Sequence, residues 1–227
     1  MADDSLEHIA TEVRQCQACQ LCTTRNKAVP GEGNPQTAVL FIGEGPGMNE
    51  DRQGRPFIGA AGQFLDEMLA SVGLQRSDCF ITNVVKCRPP NNRDPEPPEI
   101  AACNIFLDRQ IALLRPKLIV TLGRFSMAKF FPGETISRIH GKIRNINGQM
   151  VLPLYHPAAA LHQGALRKTL LEDFKQVPLA IAAAKPEQQR HDRVEIDDLF
   201  ASVPSEAPKT EVTNTTDEEP PQQMSLF

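Results

Sequence analysis

Four of the six cysteines in this 227-residue chain fall in a pattern that suits metal ligation. Cys16 and Cys19 form a C-x2-C pair, and Cys87 and Cys103 are separated by 15 residues. Four thiolates suit either a tetrahedral Zn²⁺ or a [4Fe–4S] cluster. Zinc sites usually pair two short Cys hairpins, so the wide second spacing favours the cluster. Cys79, inside an apolar run, and Cys22 read as unliganded thiols. A second set of polar side chains follows three apolar runs: Glu44, Asn83 and His156, with the lone aromatic Phe57 read as an exposed ring nearby. An aromatic face can stack on a planar ligand. An Asn amide offers a donor and an acceptor together, and a His N–H can donate to an oxygen that gains charge.

The elements that must position these groups are legible from periodicity. Val39 to Gly43 is a short apolar run that breaks on Gly43-Glu44-Gly45-Pro46-Gly47, as a strand ending in a loop does. That loop carries Glu44, Glu50 and Asp51, and Gly59 to Gly62 opens an amphipathic helix. Cys79 to Lys86 reads as a second strand, Leu118 to Gly123 as a third and Gln149 to Tyr155 as a fourth. Helices are expected over residues 5–15 with Ser5 as cap, from Pro97 through Leu114, from Gly123 to Phe131 and over about 168–184. The proline-rich stretch Cys87 to Pro95 excludes helix and paired strand. Alternating strands and helices predict an α/β fold, a three-layer α/β/α sandwich on a four-stranded, mainly parallel sheet. In such sheets ligands bind beyond the carboxyl ends of the strands.

Composition bounds the class. With 41% hydrophobic and 23% charged residues the chain reads as one globular domain with an extension. No apolar run is long enough to span a bilayer, and the N-terminus lacks a secretory pattern, so a cytoplasmic, nucleoid-associated, monomeric protein is expected. The net charge of −4 conceals an asymmetry. Residues 186–227 hold ten acids and three bases, which leaves 18 acids and 21 bases in residues 1–185. A mildly basic body permits an anionic partner such as nucleic acid. The division predicted is a folded domain over 1–185 and a disordered acidic tail over 186–227. The tail ends in an apolar tip, Gln223-Met224-Ser225-Leu226-Phe227, a form suited to docking in a partner's groove.

The motifs GEGPGMNEDRQGRPFIGAAG, ITNVVKCRPPNNRDP and YHPAAAL, together with the four cysteines, resemble the family 4 uracil-DNA glycosylases, the iron–sulfur branch of that superfamily, over roughly Leu6 to Ala184. The resemblance implies hydrolysis of the N-glycosidic bond of deoxyuridine in single- or double-stranded DNA, leaving free uracil and an abasic site after the nucleotide is flipped out of the stack. It implies that Phe57 stacks on uracil, Asn83 reads its polar edge and His156 stabilises charge on O2. Glu44 and Gly45 line the uracil site, and Glu50 helps orient water or the loop. Cys16, Cys19, Cys87 and Cys103 match the ligands of a structural [4Fe–4S] cluster. Leu161 is the expected minor-groove wedge, with His162 beside it at a DNA-contacting position where Arg is usual. Gly45 stands where Ala is common. No His lies between Cys87 and Cys103, which implies turnover instead of covalent self-trapping. The terminal QMSLF resembles the bacterial sliding-clamp binding peptide, making a clamp the expected partner. The competing readings are a metal-stabilised DNA-binding module without activity, and a phosphate-binding enzyme using GEGPG. The latter is weakened by the absence of a P-loop Lys-Ser/Thr pair.

Overall fold

The computed structural model describes residues 4–161 and 163–184. Residue 162, the acidic tail and the terminal Gln223–Phe227 peptide lie outside the described residues, and so do the expectations placed on them. Six strands form one sheet: β1 Glu32–Gly33, β2 Val39–Gly43, β3 Cys79–Asn83, β4 Leu118–Leu122, β5 Arg144–Ile146 and β6 Gln149–Leu154, in the order β1-β3-β2-β4-β6-β5. Nine helices accompany them among the described residues. They are α1 Leu6–Gln15, α2 Met48–Gln53, α3 Ala60–Ser71, α4 Pro97–Leu114, α5 Arg124–Ala128, α6 Ile136–Ile139, α7 Pro157–Ala160, α8 Gly164–Phe174 and α9 Gln176–Ala183.

The sheet corrects the expected strand count. The four central strands β3, β2, β4 and β6 are mutually parallel, and β1 and β5 add short antiparallel edges. Neither edge has a readable apolar period: β1 is two residues long, and the Arg144-Asn145-Ile146 stretch is mostly exposed. Pro153 stands in β6 at no cost to the ladder. The last β5 pair is Arg144 with Val151, so no neighbour there requires a proline N–H.

The central strands are buried on both faces, as their continuous apolar sequences require. Leu40, Ile42, Phe80 and Ile119 face one layer, built from Ile9 and Val13 of α1 and Phe106, Leu107 and Leu114 of α4. Val39, Phe41, Ile81, Val120 and Leu152 face the other, built from Phe64, Leu65 and Met68 of α3 and from Leu170, Phe174 and Val177 of α8 and α9. Phe41 and Phe174 stack at 5.7 Å between centroids.

Local chemistry sets the helix limits. Ser5 accepts from the His8 N–H at the start of α1. At α4, Pro97 and Pro98 occupy the first turn and Glu96 and Glu99 form a reciprocal capping box. The single helix expected over 168–184 is two, divided at Lys175. Pro178 has no N–H for the Phe174 carbonyl, so the first helix cannot continue through it. The proline loop contains one short 3-10 turn, Pro90–Asn92, with Asn91 and Asn92 in the left-handed region. No helix among the described residues is long and apolar enough to cross a membrane.

Candidate active site and thiol cavity

The parallel register places Gly43 of β2 directly opposite Asn83 of β3. Leu122 of β4 lies opposite Leu154 of β6, so Gly123 and His156 follow at the same end of the sheet. Glu44, Asn83 and His156 therefore gather at one edge. They line a pocket of about 420 Å³ together with Gly45, Glu50 and Phe57. All six pocket residues read from the sequence thus meet in one place. The proline loop supplies Pro89, Asn92 and Arg93 as well.

Phe57 is not the exposed ring expected from its loop context: it is 6% exposed. Its φ of 51° is left-handed, a conformation that costs a residue other than Gly about 1–3 kcal/mol. The surrounding hydrogen bonds hold it there. Glu50 Oε1 accepts from the Ile58 and Gly59 N–H groups at 2.9 and 2.8 Å. On the other side Arg76 donates to the Phe57 carbonyl at 2.9 Å and to the Pro56 carbonyl at 2.7 Å, and is itself fixed by Glu32 and Asp66. Glu50 is therefore a clamp on the loop. Asp51, the third acid of that loop, does not line the pocket. It is buried and accepts from the Asn26 backbone N–H and side-chain amide.

Asn83 is 1% exposed, and its Oδ1 has no hydrogen-bond partner. A buried acceptor in that state is unfavourable by about 1–3 kcal/mol, and on the pocket wall it is open to a donor that enters there. His156 stacks on Phe57 at 5.7 Å between centroids. Its Nδ1 accepts from the Ala158 N–H at 3.1 Å, capping α7. Burial pushes the imidazole pKa down to about 4, against the opposing pull of the Glu50 carboxylate. The ring is therefore neutral near pH 7 with its proton on Nε2, a donor without a full charge. Glu44 is half-buried, and its carboxyl pKa is raised by that burial and by Asp94, with Arg124 opposing.

Glycines make this convergence sterically feasible, a role the sequence reading missed. A Cβ on Gly43 would lie 2.4 Å from Asn83 Oδ1 and 2.5 Å from Phe57 Cζ. One on Gly62 would lie 1.8 Å from the Phe57 carbonyl oxygen, and one on Gly123 3.1 Å from His156 Cβ. At Gly45 a methyl would meet Val85 Cγ2 at 2.8 Å, so Gly is matched to this Val85. Arg93 was also missed. It makes a two-pronged pair with Glu99 at 2.9 and 2.6 Å, tying the proline loop to α4.

Cys16, Cys19, Cys87 and Cys103 line one cavity between α1, the proline loop and α4, and Cys22 lines it too. The Arg25 guanidinium donates to Cys87 Sγ at 3.0 Å, and the Lys86 N–H to Cys103 Sγ at 3.3 Å. Burial raises the Cys103 thiol pKa to about 11. No three His, Cys, Asp or Glu side chains among the described residues converge tightly enough to hold one metal ion. Cys79 is separate, buried in β3, with its pKa pushed up to about 12. Leu161, beyond α7, is 38% exposed.

The family model described as "Uracil DNA glycosylase superfamily" matches residues 30–176, the span that carries this pocket. The chain is 50% identical over 190 residues to the type-4 uracil-DNA glycosylase of Saccharolobus solfataricus, covering 79% of this chain and 88% of that protein. It is 43% identical over 179 residues to the type-4 enzyme of Thermotoga maritima, covering 77% and 93%. Against the type-5 uracil-DNA glycosylase of Pyrobaculum aerophilum identity falls to 31% over 150 residues, covering 58% and 66%. The chain belongs to the uracil-DNA glycosylase superfamily, and within it to the type-4 branch.

Gly43→Ala tests the steric argument. The methyl must displace Asn83 or Phe57, so uracil excision is expected to fall by about a hundredfold or more, with the far-ultraviolet circular dichroism of the folded domain retained. Unchanged excision would show that the close approach is dispensable.

Proposed function

We propose that the protein flips deoxyuridine out of DNA and hydrolyses its N-glycosidic bond, releasing uracil and leaving an abasic site. The observation that carries this reading is the buried, unpartnered Asn83 Oδ1 facing a pocket that also holds a neutral His156. Uracil N3–H is a donor that matches Asn83 Oδ1. Cytosine N3 carries no proton at neutral pH and would leave that oxygen orphaned, which disfavours it. Phe57, pre-set in its left-handed turn, offers a stacking face. As the C1′–N1 bond breaks, its electron pair passes into the uracil ring and charge grows on O2, where the His156 Nε2–H donates. A water oxygen then adds to the electron-poor C1′, and the proton it loses balances the one taken up by the uracil anion, which leaves as neutral uracil. Glu44, on the pocket wall, is the group assigned to orient that water, and Glu50 keeps the Phe57 loop in place. Leu161 is assigned to the gap the flipped nucleotide leaves.

The thiol cavity is proposed to hold a [4Fe–4S] cluster through Cys16, Cys19, Cys87 and Cys103. The donor set fits: four thiols lining one cavity, two buried and two partly exposed, with N–H hydrogen bonds from Ala18 to Cys16, from Arg25 to Cys87 and from Lys86 to Cys103, and a guanidinium to offset negative charge. A single Zn²⁺ would need its sulfurs about 2.3 Å from one point, a tighter convergence than these side chains make. Bound there, the cluster supplies a cross-link between α1, the proline loop and α4. The terminal Gln223–Phe227 peptide is proposed to dock on a sliding clamp, on the strength of its sequence.

Incubation with a uracil-containing oligonucleotide, then alkali, is expected to give strand cleavage at uracil only, and Asn83→Ala to lower the rate about a hundredfold. Absence of uracil-dependent cleavage by the intact protein would leave a DNA-binding module as the better reading. The pH profile provides a second test. With its folded pKa near 4 instead of 6.5, His156 stays neutral, and its contribution to the single-turnover rate is flat across pH 6–8 and lost as pH falls through about 4. Between those two values the unfolded chain binds a proton that the native one does not, so stability also falls as pH drops through that window. A rate inflection near 6.5 that disappears in His156→Ala would contradict the assignment. Removing Met224–Phe227 is expected to abolish retention on immobilised clamp and leave excision from short oligonucleotides unchanged; retained clamp binding would exclude the peptide as the docking element.

A further inference from the structure

Lys86 is 1% exposed and lies between the two sites. Fully buried lysines are rare, because an ammonium must replace its water by other acceptors. Here its three N–H donors meet three oxygens: Thr82 Oγ1 at 2.7 Å, the Asn83 carbonyl at 2.8 Å and Gln110 Oε1 at 2.7 Å. Three acceptors around one nitrogen call for the three donors of an –NH₃⁺ group. The acceptors are themselves fixed, since Thr82 Oγ1 and Gln110 Nε2 both donate to the Pro30 carbonyl, at 3.1 and 2.6 Å. The same residue's backbone N–H donates to Cys103 Sγ, its carbonyl accepts from Val29 N–H at 2.7 Å, and it lines the thiol cavity. All three direct partners of the ammonium are neutral; burial and the nearby Lys129 disfavour its charge, and Cys103 and Asp108 favour it. An all-thiolate cluster in the adjoining cavity would add negative charge on the same side.

We propose that Lys86 is a positioning residue that couples the thiol cavity to base recognition, fixing the Asn83 backbone with its ammonium and countering the charge of the cysteine-bound group. The inference rests on the cluster reading above for its charge component and on the hydrogen bonds alone for its positioning component. Asn83 and Cys87 are four residues apart, and Lys86 braces the segment between them at both ends. A shift of Asn83 misplaces Oδ1 relative to uracil N3–H, which affects the chemical step more than the capture of DNA. Removing a positive charge beside the cluster disfavours its reduced, more negative state, so the midpoint potential falls.

The test uses the full-length protein purified with its metal content intact. In Lys86→Met, kcat for uracil excision is expected to fall about tenfold to a hundredfold with KM for DNA changed by less than about twofold, and the cluster's midpoint potential to become more negative. Thr82→Val removes one ammonium partner and keeps the charge, so it should lower kcat in the same direction and leave the potential unmoved. A folded, coloured Lys86→Met protein with unchanged kcat and potential overturns the proposal. If Lys86→Met does not fold, an unchanged kcat in Thr82→Val overturns it. Wild-type protein without iron or a broad visible band removes the cluster reading and the charge component with it, and kcat of the two variants then decides the positioning component alone.

Discussion

The pairing of Gly43 with Asn83 at the end of the β2–β3 ladder is the constraint on which the rest of the site depends. Parallel register fixes which residues leave the sheet together, and a slip of one position would turn every side chain to the opposite face. With Gly43 at that point, the Asn83 amide and the Phe57 ring can both approach the strand end within the space one methyl would fill. Gly123 gives His156 similar access from β4. The pocket is thus bounded by missing side chains as much as by present ones. Its floor is backbone, which does not change rotamer.

Around that floor, most buried polar groups are satisfied within the protein. Asp51 holds Asn26, Glu50 holds two loop N–H groups, Gln110 holds Pro30 and Lys86 holds three oxygens. Three buried side-chain oxygens among the described residues lack a hydrogen-bond partner, Asn83 Oδ1, Asp108 Oδ1 and Thr121 Oγ1, and of these Asn83 alone lines the pocket. A folded core does not usually tolerate an orphaned acceptor unless something outside the chain pairs with it. Its place on the pocket wall makes the Asn83 oxygen informative: with the neutral His156 lining the same pocket, the site offers an acceptor and an uncharged donor to one ligand.

Much of this arrangement was legible in the sequence because it is written in local terms. The four central strands are continuous apolar runs, the cap at Ser5 and the prolines at 97 and 98 are composition signals, and the residues at strand ends follow from where those runs stop. The edge strands were not legible, since β1 and β5 are held by pairing with partners already in place. The burial of Phe57 depends on Arg76, 19 residues away, and no pattern around Pro56-Phe57-Ile58 announces that contact. Lys86 was equally silent: a lysine at the end of an apolar run is ordinarily a solvated end, and only the approach of Gln110 from α4 shows otherwise. The glycines were visible as loop formers, but at Gly43 and Gly62 the need is for space, not for a positive φ.

The clamp on Phe57 has a mechanical corollary. Arg76 lies three residues before β3, and β3 ends at Asn83, so the Phe57 loop is fastened by hydrogen bonds to the segment leading into the strand that carries the Asn83 amide. His156 belongs to the other side of the sheet edge and is retained by a single backbone N–H, its stacking on Phe57 and the packing of Gly123. The two walls of the pocket are therefore tied unequally: one through a guanidinium held by two carboxylates, the other through one backbone N–H and the stacking of two rings.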